Sequence, residues 1–236
     1  MSIGAAVVLG AGWWVSHSPA FDLRSILVRG NAHLTAAQVR NLSRLTSDTN
    51  VLWLRTGLVE RRLQANPWVL RAEVSRRLPS GITITVEERA PVAVTRGRHG
   101  MLLAGDGTVL GPAASDVDLP VVKATGSLLP GDRVASSGAL IVVRAIPPEL
   151  LPMVARVGPG SEGSLVVALR DGVAVVYGDA TRAQEKSAAL RAVLSWAIRH
   201  GVRLASVDVR APTAPFVRQQ RPLAAPANIV KARSGT

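Results

Sequence analysis

The 236-residue chain reads as an α+β protein: an apolar N-terminal helix, a small β-α-α-β-β domain, and a mostly antiparallel β domain carrying one long helix. Three stretches lead there. Residues 66–89 (NPWVLRAEVSRRLPSGITITVEER) alternate apolar and polar side chains twice, with Leu70, Ala72 and Val74 on one dry face and Ile82, Ile84 and Val86 on another. Period two marks strands with one dry face, and Arg77 to Gly81, with Pro79 inside, joins them as a hairpin. Thr35 with Gln38 carries the capping-box signature of a helix start. Between Thr181 and His200, Leu190, Val193, Leu194, Ala197 and Ile198 recur at helical spacing as one dry stripe.

From the N-terminus, Ile3 to Val15 (IGAAVVLGAGWWV) is an uncharged run. As a helix it is roughly 20 Å long, against about 30 Å of bilayer hydrocarbon. No basic residue precedes it, as a signal peptide would require. The expectation is a membrane-helix remnant over residues 1–20 whose start lies upstream, with Trp13 and Trp14 at the membrane interface. The domains after it then lie outside the cytoplasm.

A small domain follows over residues 21–91. Leu23 to Arg29 is an apolar, β-branched strand ending at Gly30-Asn31. The capped helix after Thr35 turns Val39, Leu42 and Leu45 inward, with Leu34 and Val39 placed as a hydrophobic staple. A second helix runs from Thr56 to Ala65, with Val59 and Leu63 one turn apart, and stops at Asn66-Pro67. The hairpin closes the domain.

The β domain, 92–218, is predicted from short strands at Pro91–Thr95, Met101–Ala104, Leu119–Lys123, Leu165–Leu169, Val173–Tyr177, Leu204–Val209 and Phe216–Val217. Asp106-Gly107 and Asp171-Gly172 are turn signals. Thr181 with Gln184 offers a second capping box, and Gly201 a helix stop. Residues 219–236 lack periodicity and are expected to be disordered.

Composition narrows the chemistry. Aromatic residues make up 3% of the chain, so the core is aliphatic, and the absence of cysteine excludes disulfides and thiolate sites. The net charge of +12 comes from 28 basic residues, of which Lys123, Lys186 and Lys231 are the lysines. Two readings stand: guanidinium groups meeting a polyanionic surface, or arginine codons of a GC-rich genome solvating the whole surface. The arginines are spread along the chain, with Arg61-Arg62 and Arg76-Arg77 as adjacent pairs and no interleaved aromatics, unlike a nucleic-acid reader.

His17, His33, His99 and His200 are scattered without metal-ligand spacing. Glu87 and Glu88 are neighbours in a strand and point to opposite faces. Gly158, Gly160 and Gly163 match a dinucleotide fingerprint but precede a strand rather than a helix, and read as a loop. No nucleophile elbow or phosphate loop is present. The expectation is therefore a binding protein, with no catalytic residues, metal or cofactor.

The strings FDLRSILVRGNAHLTAAQV and LVERRLQANPWVLRAEVSRRLPSGITITVEERAPVAV resemble the POTRA domain of the FtsQ/DivIB cell-division proteins. The likeness rests on Gly30-Asn31, Pro67-Trp68-Val69, Arg77-Leu78-Pro79 and the exit Val86-Glu87-Glu88-Arg89-Ala90-Pro91. Beyond these, Asp106-Gly107, Lys186 with Leu190, and Val207-Asp208-Val209-Arg210 resemble that family's β domain. The arginine-rich composition fits a high-GC, actinobacterium-like genome. The resemblance implies a bitopic divisome protein of the cell membrane at the division septum. Such a protein does no catalysis, binds FtsB- and FtsL-like partners, and links early division components to septal peptidoglycan synthases.

By the same resemblance, a partner strand adds beside the last strands of the β domain, mapping to Val207, Val209, Phe216, Val217 and Arg218. Phe216, one of two Phe in the chain, is either the anchor of that edge or a plug closing a small β core. Pro212 and Pro215 fit an edge protected from nonspecific pairing. On the POTRA hairpin, Arg71, Glu73 and Arg77 form a charged wet face towards lipid headgroups or a partner. The other reading is a basic extracytoplasmic binding module that contacts anionic lipid, wall polymer or exported protein through its POTRA domain.

Overall fold

A computed structural model describes residues 2–96, 100–114, 117–124, 127–134 and 138–220, the side chains of 2–7 apart. His99 and residues 221–236 of the expected tail lie outside them. Two compact units divide between Leu140 and Ile141.

In the first unit, helix α1 (Ser2–Ser16) leads through a short turn at Pro19–Phe21 into β1 (Ser25–Arg29), α2 (Ala36–Ser43), α3 (Thr56–Gln64), β2 (Val69–Arg77) and β3 (Gly81–Glu88). The sheet order is β1-β3-β2. β2 and β3 pair antiparallel through the hairpin, whereas β1 lies parallel to β3 because two helices intervene and carry the chain back. Those helices set Val39, Val59 and Leu63 against Val69, Val74, Ile82, Ile84 and Val86, all buried. The helix start at Thr35 forms both halves of its capping box. The Gln38 amide donates to Thr35 Oγ1 at 3.2 Å, and the Thr35 amide donates to Gln38 Oε1 at 2.7 Å.

One residue of the hairpin departs from its alternation. The register shifts between Val69 and Arg71, so the strand carries an irregularity there. Leu70 is turned to solvent at 45% exposure and Val69 takes the buried place, because a bulge re-aims the side chains on one side of it. The rest of the dry face, Ala72 and Val74, is buried as the period requires.

The loop after β1 is held by two features. Gly30 has φ +75°, and a Cβ there would be driven into the Val86 carbonyl oxygen. The Glu88 carboxylate accepts hydrogen bonds from the amides of Ala32, His33 and Leu34 at 3.0, 2.8 and 3.1 Å. His33 then stacks on Trp68 with ring centroids 3.5 Å apart.

The first unit continues with β4 (Pro91–Thr95), β5 (Met101–Ala104), β6 (Val109–Pro112) and β7 (Val121–Val122), in the order β7-β4-β5-β6. β6 escaped the sequence reading because four residues ending in proline carry too short a pattern. Its outer side is covered: the Val109 amide donates to Asp132 O at 2.9 Å and the Gly131 amide to Val109 O at 2.8 Å. Arg89 ties the end of β3 to the β5–β6 turn. Its guanidinium donates to Asp106 Oδ2 at 2.9 Å and to the carbonyls of Pro67 and Val69 at 2.9 and 2.7 Å. Burial pushes the Asp106 carboxyl up, but the Thr108 amide and Arg89 outweigh it and hold the group at about 2. Asp106 was legible as a turn residue; its pairing with Arg89 was not.

Helix α4 (Gly138–Ala145) carries the division between the units. Its sequence GALIVVRA is apolar nearly all round and gave no periodic signal. The second unit then runs β8 (Val154–Pro159), β9 (Leu165–Leu169), β10 (Ala174–Gly178), α5 (Ala183–His200), β11 (Leu204–Asp208) and β12 (Phe216–Gln219). The order is β8-β9-β10-β11-β12, antiparallel except for β10 and β11, which the α5 crossover makes parallel. Gly158, Gly160 and Gly163 fall at the end of β8 and in the β8–β9 connection, where a single 3-10 turn (Ser161–Gly163) leads into β9 rather than into an α-helix.

Helix α5 differs from its expected pattern at both ends. Thr181 does not cap it: Arg182 occupies the N-cap in the left-handed region, and Thr181 Oγ1 instead donates to Asp179 Oδ1 at 2.6 Å. Ile198 is 73% exposed, so the dry stripe ends at Ala197 and is completed on its other side by Ala189 and Lys186. Eight residues on, the 100° step per residue has carried Ile198 about 80° from Leu190, to the edge of the stripe. Gly201 ends the helix with φ +64°, as expected.

Glu88→Ala is expected to cost about 2 kcal/mol, the scale of hydrogen bonds to a charged acceptor. Gly30→Ala is expected to cost about 1–3 kcal/mol from backbone strain alone. Urea unfolding should show both as lower midpoints with an unchanged slope; an unaltered midpoint for Gly30→Ala would contradict the steric account.

Candidate functional site

Among the described residues, the second unit has a strand edge without a neighbour, and β11 decides where it lies. β11 pairs with β10 on one side (Ala174↔Ser206, Val175↔Val207, Val176↔Asp208) and with β12 on the other (Ser206↔Arg218, Val207↔Val217, Asp208↔Phe216). Both of its sides are taken. Among the described residues, β12 is paired only to β11.

The Gln220 amide donates to Arg203 O at 2.9 Å across the β11–β12 pair. Backbone groups alternate sides along a strand. Phe216 and Arg218 therefore direct their N–H and C=O groups to β11, whereas Val217 and Gln219 direct theirs to the open side. The side chains follow the other alternation: Phe216 is 66% exposed and Arg218 exposed on one face, with Val217 half-buried on the opposite face. That exposure rules out Phe216 as a plug of the β core. Strand pairing also extends one residue beyond Arg218, to Gln219, so the expected tail over 219–236 begins later than its lack of periodicity suggests.

Val207 and Val209 are buried, 1% and 0% exposed, so their side chains face the interior of the unit. Val207 lies directly across from Val217 on the inner face, while Phe216, one residue earlier in β12, points to the opposite, exposed face. Asp208, directly across from Phe216, receives the Arg210 guanidinium: Nε lies 3.1 and 3.0 Å from Oδ1 and Oδ2, and Nη2 2.7 Å from Oδ2. Arg210 holds the Asp208 carboxyl below its ordinary range despite partial burial. The stem of Arg210 crosses Gly178, whose φ is +76° and where a Cβ would sit 2.9 Å from Arg210 Cγ.

Behind the edge, α5 is pinned by a polar contact that sequence pattern alone did not signal. Lys186 is 3% exposed, and its ammonium donates to Asp179 Oδ1 at 2.7 Å and to Asp179 O at 3.0 Å. It lies 5.5 Å from the centroid of the buried Tyr177 ring. Tyr177 donates its hydroxyl to Ala183 O at 2.6 Å, with Ser187 Oγ 2.9 Å away. Lys186 stands in the first turn of α5 on an otherwise apolar stripe, and with Leu190 it belongs to the residues that carry the family resemblance. The Lys186 and Thr181 hydrogen bonds hold the exposed Asp179 carboxyl down at about 2.

In the POTRA-like hairpin, Arg71, Glu73 and Arg77 are all exposed and share one face of β2, with Arg71 opposite Glu87 across the strand pair. The structure thus groups these three and keeps them in the other unit from β12. The opposite edge of β2 is engaged, since the Val74 amide donates to Glu60 Oε1 at 2.9 Å. Trp13 and Trp14 are 65% and 74% exposed on α1. Among the described residues no helix is long and apolar enough to cross a membrane, and no group of three metal-ligating side chains occurs.

A mixed three-stranded sheet under two helices, followed by a strand-rich part, defines a POTRA protein with a C-terminal domain. Residues 21–89 match the family model "POTRA domain, FtsQ-type", and residues 93–210 match "Cell division protein FtsQ/DivIB, C-terminal". The chain belongs to the FtsQ/DivIB cell-division family. Curated proteins called "Cell division protein FtsQ" are similar over nearly its whole length. That of Mycobacterium leprae is 32% identical, covering 89% of this chain and 59% of the relative. That of Mycobacterium bovis is 30% identical over 91% of this chain and 66% of the relative, and that of Streptomyces bingchenggensis 27% identical over 90% and 83%. The chain therefore spans about two thirds or less of the mycobacterial relatives' lengths.

The Lys186–Asp179 pair has a defined pH dependence. Asp179 sits at about 2 in the fold against an ordinary 3.8, so its contribution is present above 3.8 and lost as pH falls from 3.8 towards 2. The stability gap between the native chain and Asp179→Asn should narrow over that interval in urea titrations. A gap independent of pH would show that the ion pair is not its source.

Proposed function

We propose that the chain is a bitopic divisome scaffold, anchored in the cell membrane at the septum, with a POTRA domain over residues 21–91 and a β domain over 92–218 outside the cytoplasm. In this reading it catalyses nothing. It binds FtsB- and FtsL-like proteins and so links early division components to septal peptidoglycan synthesis. Family membership supports the division role, and the open side of β12 supports the manner of binding.

An extended partner segment would hydrogen-bond to Val217 and Gln219 along that side, adding a strand to the sheet. Phe216 and Arg218 would supply contacts on the exposed face, the aromatic ring acting as the anchor. Val207 and Val209 would act as buried backing. Pro212 and Pro215, in the connection before β12, would limit how far any incoming strand could pair. The charged face of Arg71, Glu73 and Arg77 would serve a second contact on the POTRA domain.

Proline scanning separates the two sides of β12. Val217→Pro removes an outward donor and should weaken binding of an FtsB–FtsL extracytoplasmic pair by about 100-fold, the equivalent of roughly 3 kcal/mol, with the melting temperature held. Phe216→Pro removes an inward donor and should lower both binding and melting temperature. Titration calorimetry on the whole chain in detergent reads the first quantity. Native-like affinity in Val217→Pro would sink strand addition here. Absence of binding by the native chain would return the protein to the basic lipid- or wall-binding reading.

A further inference from the structure

Three aromatic rings from two distant parts of the sequence meet on the first unit. His17 lies 4.5 Å from Trp13 and stacks on Trp53 at 5.7 Å, with 28° between the latter planes. Trp53 is 58% exposed, and Trp13 and its neighbour Trp14 are more so. Burying such rings in the core would have been the ordinary outcome for a chain so poor in aromatics. Instead the fold spends several hydrogen bonds on holding Trp53 outward.

The Asn50 carboxamide oxygen accepts from the amides of Leu52 and Trp53 at 2.9 and 3.2 Å. Its Nδ2 donates to Ser16 O at 2.9 Å, tying this loop to the end of α1. The Arg76 guanidinium donates to Val51 O and Leu54 O at 3.0 and 2.6 Å, bracketing Trp53 on both sides. The Val51 amide donates to Phe21 O and the Leu23 amide to Thr49 O, at 2.8 and 3.0 Å, fixing the same loop to the segment that leaves α1. Trp53 is thus an exposed ring on a rigid mount, beside a helix with no charged residue.

We infer that Trp53, with His17, Trp13 and Trp14, forms an interfacial surface that seats the POTRA domain in the headgroup layer of the bilayer. This rests on the membrane anchoring proposed above and extends it from the helix to the folded domain. The chemistry fits one occupant. Indole rings favour the headgroup boundary, where an apolar body and a polar N–H are both satisfied. A polyanion is a poorer match, because the sequence neighbours carry both signs: Asp22 and Asp48 as well as Arg24 and Arg55. Neutral phospholipid is therefore sufficient. The domain would be held by two points, the helix and Trp53, which restrains its swing about residues 17–20.

The chain has no cysteine, so a single introduced one carries a reporter without further changes. The full chain is reconstituted into phosphatidylcholine vesicles, with and without bromine near the headgroup end of the acyl chains. A bimane label sits at Trp53→Cys, Trp14→Cys or Ile198→Cys in separate samples. Brominated lipid should cause loss of fluorescence at positions 53 and 14 and none at 198, the exposed residue on α5. Loss at 14 without loss at 53 overturns this inference while leaving the helix anchor intact. No loss at either position overturns both. Equal loss at all three shows nonspecific adsorption and also overturns it.

Discussion

A backbone amide withdrawn from water must find a partner, and the second unit is arranged around how β11 meets that requirement. With β10 on one side and β12 on the other, β11 has no vacancy. The unmet groups are passed to β12, the short strand beyond it. In the first unit, the edge strand β6 has its outer side covered by residues 131–132. β12 has no such cover among the described residues, and it displays the one exposed phenylalanine beside an arginine. A bare edge is a hazard for most proteins. Here it is short, preceded by two prolines and flanked by an Asp208–Arg210 pair.

Polar groups do the positioning in both units. Consecutive residues Glu88 and Arg89 leave β3 in opposite directions. One carboxylate gathers three amides of the loop after β1, and one guanidinium gathers two carbonyls and Asp106. In the second unit Lys186 is buried in the stripe of α5 and satisfied by Asp179 at the surface. Such a group is expensive to strand without its partner, so each contact favours one placement of its element over nearby alternatives. The aliphatic core supplies burial but little direction, since Val, Leu and Ile interchange with modest loss.

Arg76 illustrates how local and global roles combine. In the sequence it is half of one of two adjacent arginine pairs in a chain whose arginines are otherwise spread out. In the fold its guanidinium is committed to Val51 O and Leu54 O, shaping the loop that presents Trp53. Part of the high positive charge is thereby structural. The same holds for Arg89 and Arg210, so a count of arginines overstates the surface left for anionic partners.

By itself the sequence determined the elements whose information is local. The Thr35 capping box, the stop at Asn66-Pro67, the alternation of Ala72, Val74, Ile82, Ile84 and Val86, and the glycine end of α5 are each decided by neighbours within a few residues. It also carried the family likeness, because those same turns and caps are the motifs. What tertiary structure decided depends on partners far along the chain. The bulge that turns out Leu70 is a matter of register against β3, and the exposed edge of Ile198 depends on how wide a stripe the sheet can cover. Burial of Val207 and Val209 beside an exposed Phe216 follows from β11 gaining a neighbour on each side, and the meeting of His17 with Trp53 from how the loop at Asn50 folds back to Ser16. A side chain's chemistry is written at its own position; whether it faces core, partner or lipid is settled only by what the fold places next to it.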